Sequence, residues 1–140
     1  QLGALKLLDA KNNAVIGLAA GENVQNGTNN VFVGTRAGAN AVADSSVFVG
    51  TLAGSDASSI RGSCFLGYRA GQYANYINQS VCIGPYSGQS MIRATDNVLL
   101  GYQAGANVVS GSRNVGIGSY AAFKQYNASD NVVIGHNARP

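Results

Sequence analysis

One unit recurs along almost the whole chain, and a short unit that repeats must bury its apolar side chains against its own copies, because alone it has no core. The segments Asn13 to Gly21, Asn30 to Gly38, Ser46 to Gly54, Ser63 to Gly71, Ser80 to Gly88, Asn97 to Gly105, Asn114 to Ala122 and Asn131 to Arg139 superimpose without a gap, eight copies of a pattern typified by NVFVGTRAG and NVLLGYQAG. Each copy is anchored on a glycine: Gly17, Gly34, Gly50, Gly67, Gly84, Gly101, Gly118 and Gly135, spaced by 17 residues except for one step of 16. The repeat fills everything beyond about Lys11, so residues 1–11 read as an incoming segment or cap and 12–140 as a single repeat domain. No signal-like stretch follows Gln1, and the expectation is a segment of a longer protein.

Aligned on the glycine, the columns set the secondary structure. Three residues before it stand Ala14, Val31, Val47, Cys64, Val81, Val98, Val115 and Val132; immediately before it stand Ile16, Val33, Val49, Leu66, Ile83, Leu100, Ile117 and Ile134. Aliphatic columns two residues apart share one face of a short strand. Helical solenoid units are longer, at about 33 residues or more, and need a 3.6-residue periodicity that is absent here. A 17-residue unit with one four-residue strand plus turns therefore predicts one coil of an all-β parallel solenoid, about eight coils stacked at ~4.8 Å into a rod of roughly 35 to 40 Å. The invariant glycine predicts a positive φ or a corner too tight for a Cβ. Three residues after it the column is Ala in every copy but Ser87, which demands a thin coil at that point. Four residues before it stands Asn or Ser, whose side chains suit a backbone-bonded corner that ladders between coils.

Composition removes other classes. With 46% hydrophobic and 11% charged residues and a net charge of +3, the chain is neither disordered nor, for want of a basic cluster, a nucleic-acid binder. No apolar run reaches the ~18 residues of a membrane helix, which argues against membrane insertion.

The N/S-V-x-I-G unit followed by small residues resembles the head repeats of trimeric autotransporter adhesins. N-V-F-x-G-x-x-A-G with a variable loop resembles even more the repeats of phage and viral tail-fibre proteins. The resemblance implies a parallel β-roll, left-handed as in the adhesin heads, assembled as a homotrimer into a rod that joins neighbouring fibre segments and carries a receptor-binding end. It places the chain on a virion or a bacterial surface, in host attachment. The unit here is longer than the adhesin head repeat, with a more variable return loop.

Association follows from the residues independently of the resemblance. Between the two aliphatic columns lies a third, Val15, Phe32, Phe48, Phe65, Cys82, Leu99, Gly116 and Val133, which points to the opposite face and is nearly as apolar. Strands apolar on both faces are buried on both faces. The expectation is that Val15, Phe32, Phe48, Phe65, Cys82, Leu99 and Val133 form the oligomer interface, with Gly116 tolerated near a narrowing axis. With the parity reversed, this column fills the coil and the aliphatic columns face out, which leaves an apolar stripe and predicts a partner all the same.

Chemistry-bearing residues are sparse. A glycosidase needs two carboxylates across a cleft. Of the six acids Asp9, Glu22, Asp44, Asp56, Asp96 and Asp130, however, Asp96 and Asp130 share a column with Arg113 between them, and Asp44 lies one coil from Arg61 in what reads as the neighbouring column. Both sets read as surface charge ladders, so no catalytic residue is assigned and no enzyme is expected. His136 stands alone without metal-ligand spacing and reads as a corner residue; no metal and no cofactor is expected. Cys64 and Cys82 fall in columns of opposite face and read as free thiols. The sequons at Asn26, Asn78 and Asn127 matter only in a eukaryotic secretory pathway. Two residues after the anchor, Arg36, Arg69, Tyr86 and Tyr120 occupy a free column and are candidate receptor or glycan contacts. The leading function is a structural segment of a trimeric fibre or adhesin. The alternatives are an ice-binding solenoid, which needs a repeated Thr array that these columns lack, and a polysaccharide-cleaving tailspike segment.

Overall fold

The computed structural model describes residues 11–24, 26–122, 124 and 126–139; Asp9 and residues 1–10 of the expected incoming segment lie outside the described residues. The strands are β1 (Ala14–Ile16), β2 (Val31–Val33), β3 (Ala43–Asp44), β4 (Val47–Val49), β5 (Ser58–Arg61), β6 (Cys64–Leu66), β7 (Asn75–Asn78), β8 (Val81–Ile83), β9 (Ile92–Thr95), β10 (Val98–Leu100), β11 (Val115–Ile117) and β12 (Val132–Ile134). The first sheet has eight strands in the order β1-β2-β4-β6-β8-β10-β11-β12, every pairing parallel, so the chain makes about seven turns of a β-solenoid. The register follows the sequence columns, as in Val15 opposite Phe32 and Phe48 opposite Phe65.

The repeat strands have three residues rather than four, and the return loop holds a second parallel sheet, β3-β5-β7-β9. Its buried column, Ala43, Ile60, Ile77 and Ala94, faces the first sheet across the coil. Within these strands Ser59, Tyr76 and Arg93 have φ of 50 to 57°, which breaks the period-two alternation by which a strand is recognised.

The central column is inside the coil, which corrects the expected interface. Phe32, Phe48, Phe65, Cys82, Leu99 and Val133 are all buried within the single chain, Val15 is partly buried against the same core, and the two aliphatic columns face outward. Phe48 and Phe65 stack with ring centroids 5.0 Å apart and planes 10° from parallel. Volume complementarity explains this parity. Nine residues after each phenylalanine, on the opposite wall of the same coil, stands a buried alanine (Ala41, Ala57, Ala74); after Cys82 stands Met91, with the two sulfurs 3.6 Å apart, and after Leu99 stands Val108. The coil interior holds a fixed volume, and large faces small.

Glycine 116 follows the same rule rather than lying near an axis. A Cβ there would come within 3.1 Å of the Ala122 Cβ, whereas the glycine equivalent to Ala122 in another coil, Gly54, is needed because its Cβ would stand 2.5 Å from the Phe48 ring. Each interior anchor glycine combines φ of 125–134° with contact to the next coil: a Cβ on Gly67 would lie 2.7 Å from the carbonyl of Gly84.

The Asn/Ser corner builds the expected ladder. The Asn30 side-chain oxygen accepts from the Ser46 N–H at 2.9 Å, Ser46 Oγ from Ser63 N–H at 3.3 Å, Ser63 Oγ from Ser80 N–H at 3.2 Å, and Asn97 Oδ1 from Asn114 N–H at 3.0 Å. The asparagine Nδ2 groups donate in turn to buried carbonyls, Asn30 to Ala43 and Asn97 to Gly111. The buried Asn and Ser side chains of this corner are thus satisfied, where an unpaired one would cost about 1 to 3 kcal/mol.

Candidate functional site

Two outward surfaces carry what the solenoid can do. The first is the outer face of the eight-stranded sheet. Its two columns, Ala14 to Val132 and Ile16 to Ile134, contain only aliphatic residues and Cys64. In the inner coils Val47, Leu66, Ile83, Val98 and Ile117 remain 36–40% exposed, although each has neighbours above and below. All-parallel sheets are ordinarily covered on both faces, and here one face is covered by none of the described residues. The strip runs across all eight strands, roughly 34 Å at the inter-strand spacing.

The second surface is the corner after the anchor glycine. Arg36, Arg69, Tyr86 and Tyr120 sit there with φ of 56 to 61°, a left-handed turn that throws each side chain outward. The structure brings Tyr86 and Tyr120 together with Tyr68, Tyr102 and His136, one residue earlier in the alternate coils. The five rings form a zigzag with centroids 5.3, 5.9, 5.3 and 6.0 Å apart, each edge-on to the next at 79–88°. The Arg69 guanidinium lies over the Tyr68 ring at 5.1 Å, and Gln103 Nε2 donates to the Tyr102 hydroxyl at 3.0 Å. Desolvation first, and then the neighbouring Tyr68 phenol, raise the pKa of Tyr86; the same causes, with Tyr102 as neighbour, raise that of Tyr120. Arg36 is apart from the rings, on the side of Asp56. Burial pushes the Asp56 carboxyl up, but hydrogen bonds from Ser55 (2.7 Å) and Asn40 (2.8 Å), with the Arg36 charge, bring it below its ordinary value.

Sequence reasoning singled out two of the five rings and missed Tyr68, Tyr102 and His136. The available signal was alternation: where the second residue after the anchor is aromatic, the first is Pro85 or Ser119, and where the first is aromatic, the second is Arg69, Gln103 or Asn137. His136, read as a plain corner residue, closes the ring series.

Of the expected charge ladders, the ion pair that forms among the described residues is Arg113 with Asp130. Arg113 makes two bonds to Asp130, Nε to Oδ1 at 2.5 Å and Nη2 to Oδ2 at 2.7 Å. This holds the Asp130 carboxyl below and the Arg113 guanidinium above its usual value, with Asp96 adding to the latter. Asp44 and Arg61 are not in neighbouring columns but paired in one column of the second sheet, and the Asp44 carboxylate accepts instead from the Thr28 N–H and hydroxyl at 2.9 and 3.2 Å. The sequence offset arises from the 16-residue coil, which drops its residue after Gly34 and before the strand. Both cysteines are free; burial pushes the Cys82 thiol to about 12 and raises Cys64 less. Among the described residues no three His, Cys, Asp or Glu side chains gather at one place.

No protein-family model, curated protein or solved structure matches this chain. Its function is therefore argued from these two surfaces.

Proposed function

We propose that the chain is a structural segment of a homotrimeric fibre on a virion or bacterial surface, supporting host attachment, whose copies associate through the outer face of the eight-stranded sheet. The observation that carries this is the strip, aliphatic but for Cys64 and free of charge over all eight strands. An inner-coil valine or isoleucine about a third exposed stands to gain roughly 0.5 to 1 kcal/mol when covered, taking a third of the full-burial value. Summed along the strip, that is enough to drive stable association after the costs of ordering. Association needs only the strip; the threefold stoichiometry, the fibre and its location rest on the resemblance of the repeat to tail-fibre and adhesin-head sequences.

The test is light scattering coupled to size exclusion on the wild type and on Ile83→Asp/Val98→Asp, which places two carboxylates on adjacent strands of the strip. A lone solenoid would tolerate both on its surface, since exposed substitutions ordinarily shift stability by about 0.5 kcal/mol or less. An assembly would have to bury them unpaired. The wild type is expected at three times the chain mass and the variant at one. A monomeric wild type would sink the proposal, and a dimeric one would remove the threefold part of it.

A further inference from the structure

We propose that the aromatic corner is a binding ladder for an extended acidic polysaccharide, lying along the rod and distinct from the aliphatic strip. Three observations carry it. The first is periodicity. Tyr68, Tyr102 and His136 are the exposed members of the zigzag, the two tyrosines each 40% exposed, and they recur every second coil. At the stacking distance of the coils this sets them roughly 10 Å apart. A ligand that touches all three needs a repeat of its own on that scale, and a disaccharide step in an extended glycan chain has it. An irregular protein surface does not.

The second observation is rigidity. The Tyr102 hydroxyl, which would otherwise seek water, accepts from Gln103 inside the ladder, and each ring is packed edge-on against its neighbours. The rings are fixed before any ligand arrives, so binding them loses little rotamer freedom. Rings that are apolar on the face and polar at the tip suit sugars, which present C–H faces and hydroxyl edges.

The third observation is charge. In the two corner columns, over all eight copies, the charged residues are Arg36 and Arg69, and no acid occurs. Among the described residues Arg69 has no ion pair; it lies over Tyr68, and its buried Nε has no hydrogen-bond partner. A carboxylate on a sugar stacked against Tyr68 would meet an arginine already held in place, and guanidinium is well matched to carboxylate.

The experiment is affinity electrophoresis of the intact assembly through gels containing polygalacturonate, alginate or hyaluronan, with hydroxyethyl cellulose as the neutral control. Retardation is expected in at least one acidic gel, falling with salt, and not in the neutral one. Tyr102→Ala should weaken retention roughly three- to tenfold, the amount one aromatic contact supplies, and Tyr102→Phe should restore it, because the ring and not the hydroxyl makes the contact. Arg69→Gln should weaken acidic binding and reduce its salt dependence. No retardation in any acidic gel, retention by the neutral polymer alone, or Tyr102→Ala binding like wild type would each overturn the proposal. Light scattering on the same variants separates this outcome from that of the strip. If Tyr102→Ala changes the oligomeric state and no acidic gel retains the wild type, the ladder is a contact between copies and not a glycan site.

Discussion

Replacing Gly67 by alanine tests the coil-to-coil contact on which the whole solenoid rests, and Gly135 provides the internal control. Both glycines have the same unusual backbone, φ 134° at Gly67 and 126° at Gly135, so a Cβ at either carries the same conformational penalty, about 1 to 3 kcal/mol. Only Gly67 also meets a neighbour. Its Cβ would stand 2.7 Å from both the carbonyl carbon and oxygen of Gly84, about 0.7 Å inside ordinary contact, while a Cβ on Gly135 has only the Ala138 Cβ at 3.8 Å. The atoms in the way are backbone and cannot rotate aside, so the two coils must separate locally, which by comparison with overpacked cores adds about 1 to 3 kcal/mol. Gly67→Ala should therefore cost about 2 to 6 kcal/mol and Gly135→Ala about 1 to 3. For a chain of this size the first corresponds to a fall in Tm of roughly 6 to 18 °C and the second to about half of that or less. Thermal unfolding followed by far-ultraviolet circular dichroism reads both. Equal shifts for the two variants would show that the glycines are selected for φ alone and that the stacked-backbone contact is energetically empty.

Two further outcomes follow from the core and the thiols. Gly116→Val alone should destabilise by about 1 to 3 kcal/mol in urea unfolding through collision with Leu99 Cδ2 and the Ala122 Cβ, and adding Ala122→Gly should return the part due to Ala122, with a coupling of about 0.5 to 3 kcal/mol; strict additivity would refute the volume rule. Because the thiolate is the reactive species and burial pushes the Cys82 thiol to about 12, iodoacetamide at pH 8 should spare Cys82 in every folded form. Cys64, in the strip, should be protected in wild type and labelled in Ile83→Asp/Val98→Asp, and labelling at equal rates in both would count against burial of the strip.

The solenoid was legible in the sequence because its three signals agree: a fixed period, a paired aliphatic column and an invariant corner glycine. The parity of the central column was not, since alternation assigns faces only relative to each other and both faces here are apolar. The deciding information lay nine residues away, in the pairing of Phe48 with Ala57 and Cys82 with Met91, a comparison across the coil that strand-by-strand reading does not make. The second sheet escaped for a different reason: Ser59, Tyr76 and Arg93 interrupt it with left-handed residues, so the run has no simple period. At the candidate site, two of five rings were visible because Tyr86 and Tyr120 share a column. The others occupy the adjacent column, and only folding interleaves the two.

The coil-to-coil hydrogen bonds, such as Gly34 N–H to Ile16 C=O at 2.8 Å and its equivalent Gly50 N–H to Val33 C=O at 2.8 Å, all run along the rod axis. Tension applied to the two ends of one chain therefore loads these bonds head-on and a few at a time, rather than shearing a whole sheet at once. Such a rod is a ratchet of equal links. Each coil that peels away converts about 5 Å of axial length into an extended strand of 17 residues, a gain of roughly 50 Å, and the single 16-residue coil yields about one residue less. A fibre of such segments would absorb a pull in uniform steps, surrendering length while the coils behind the break keep their shape.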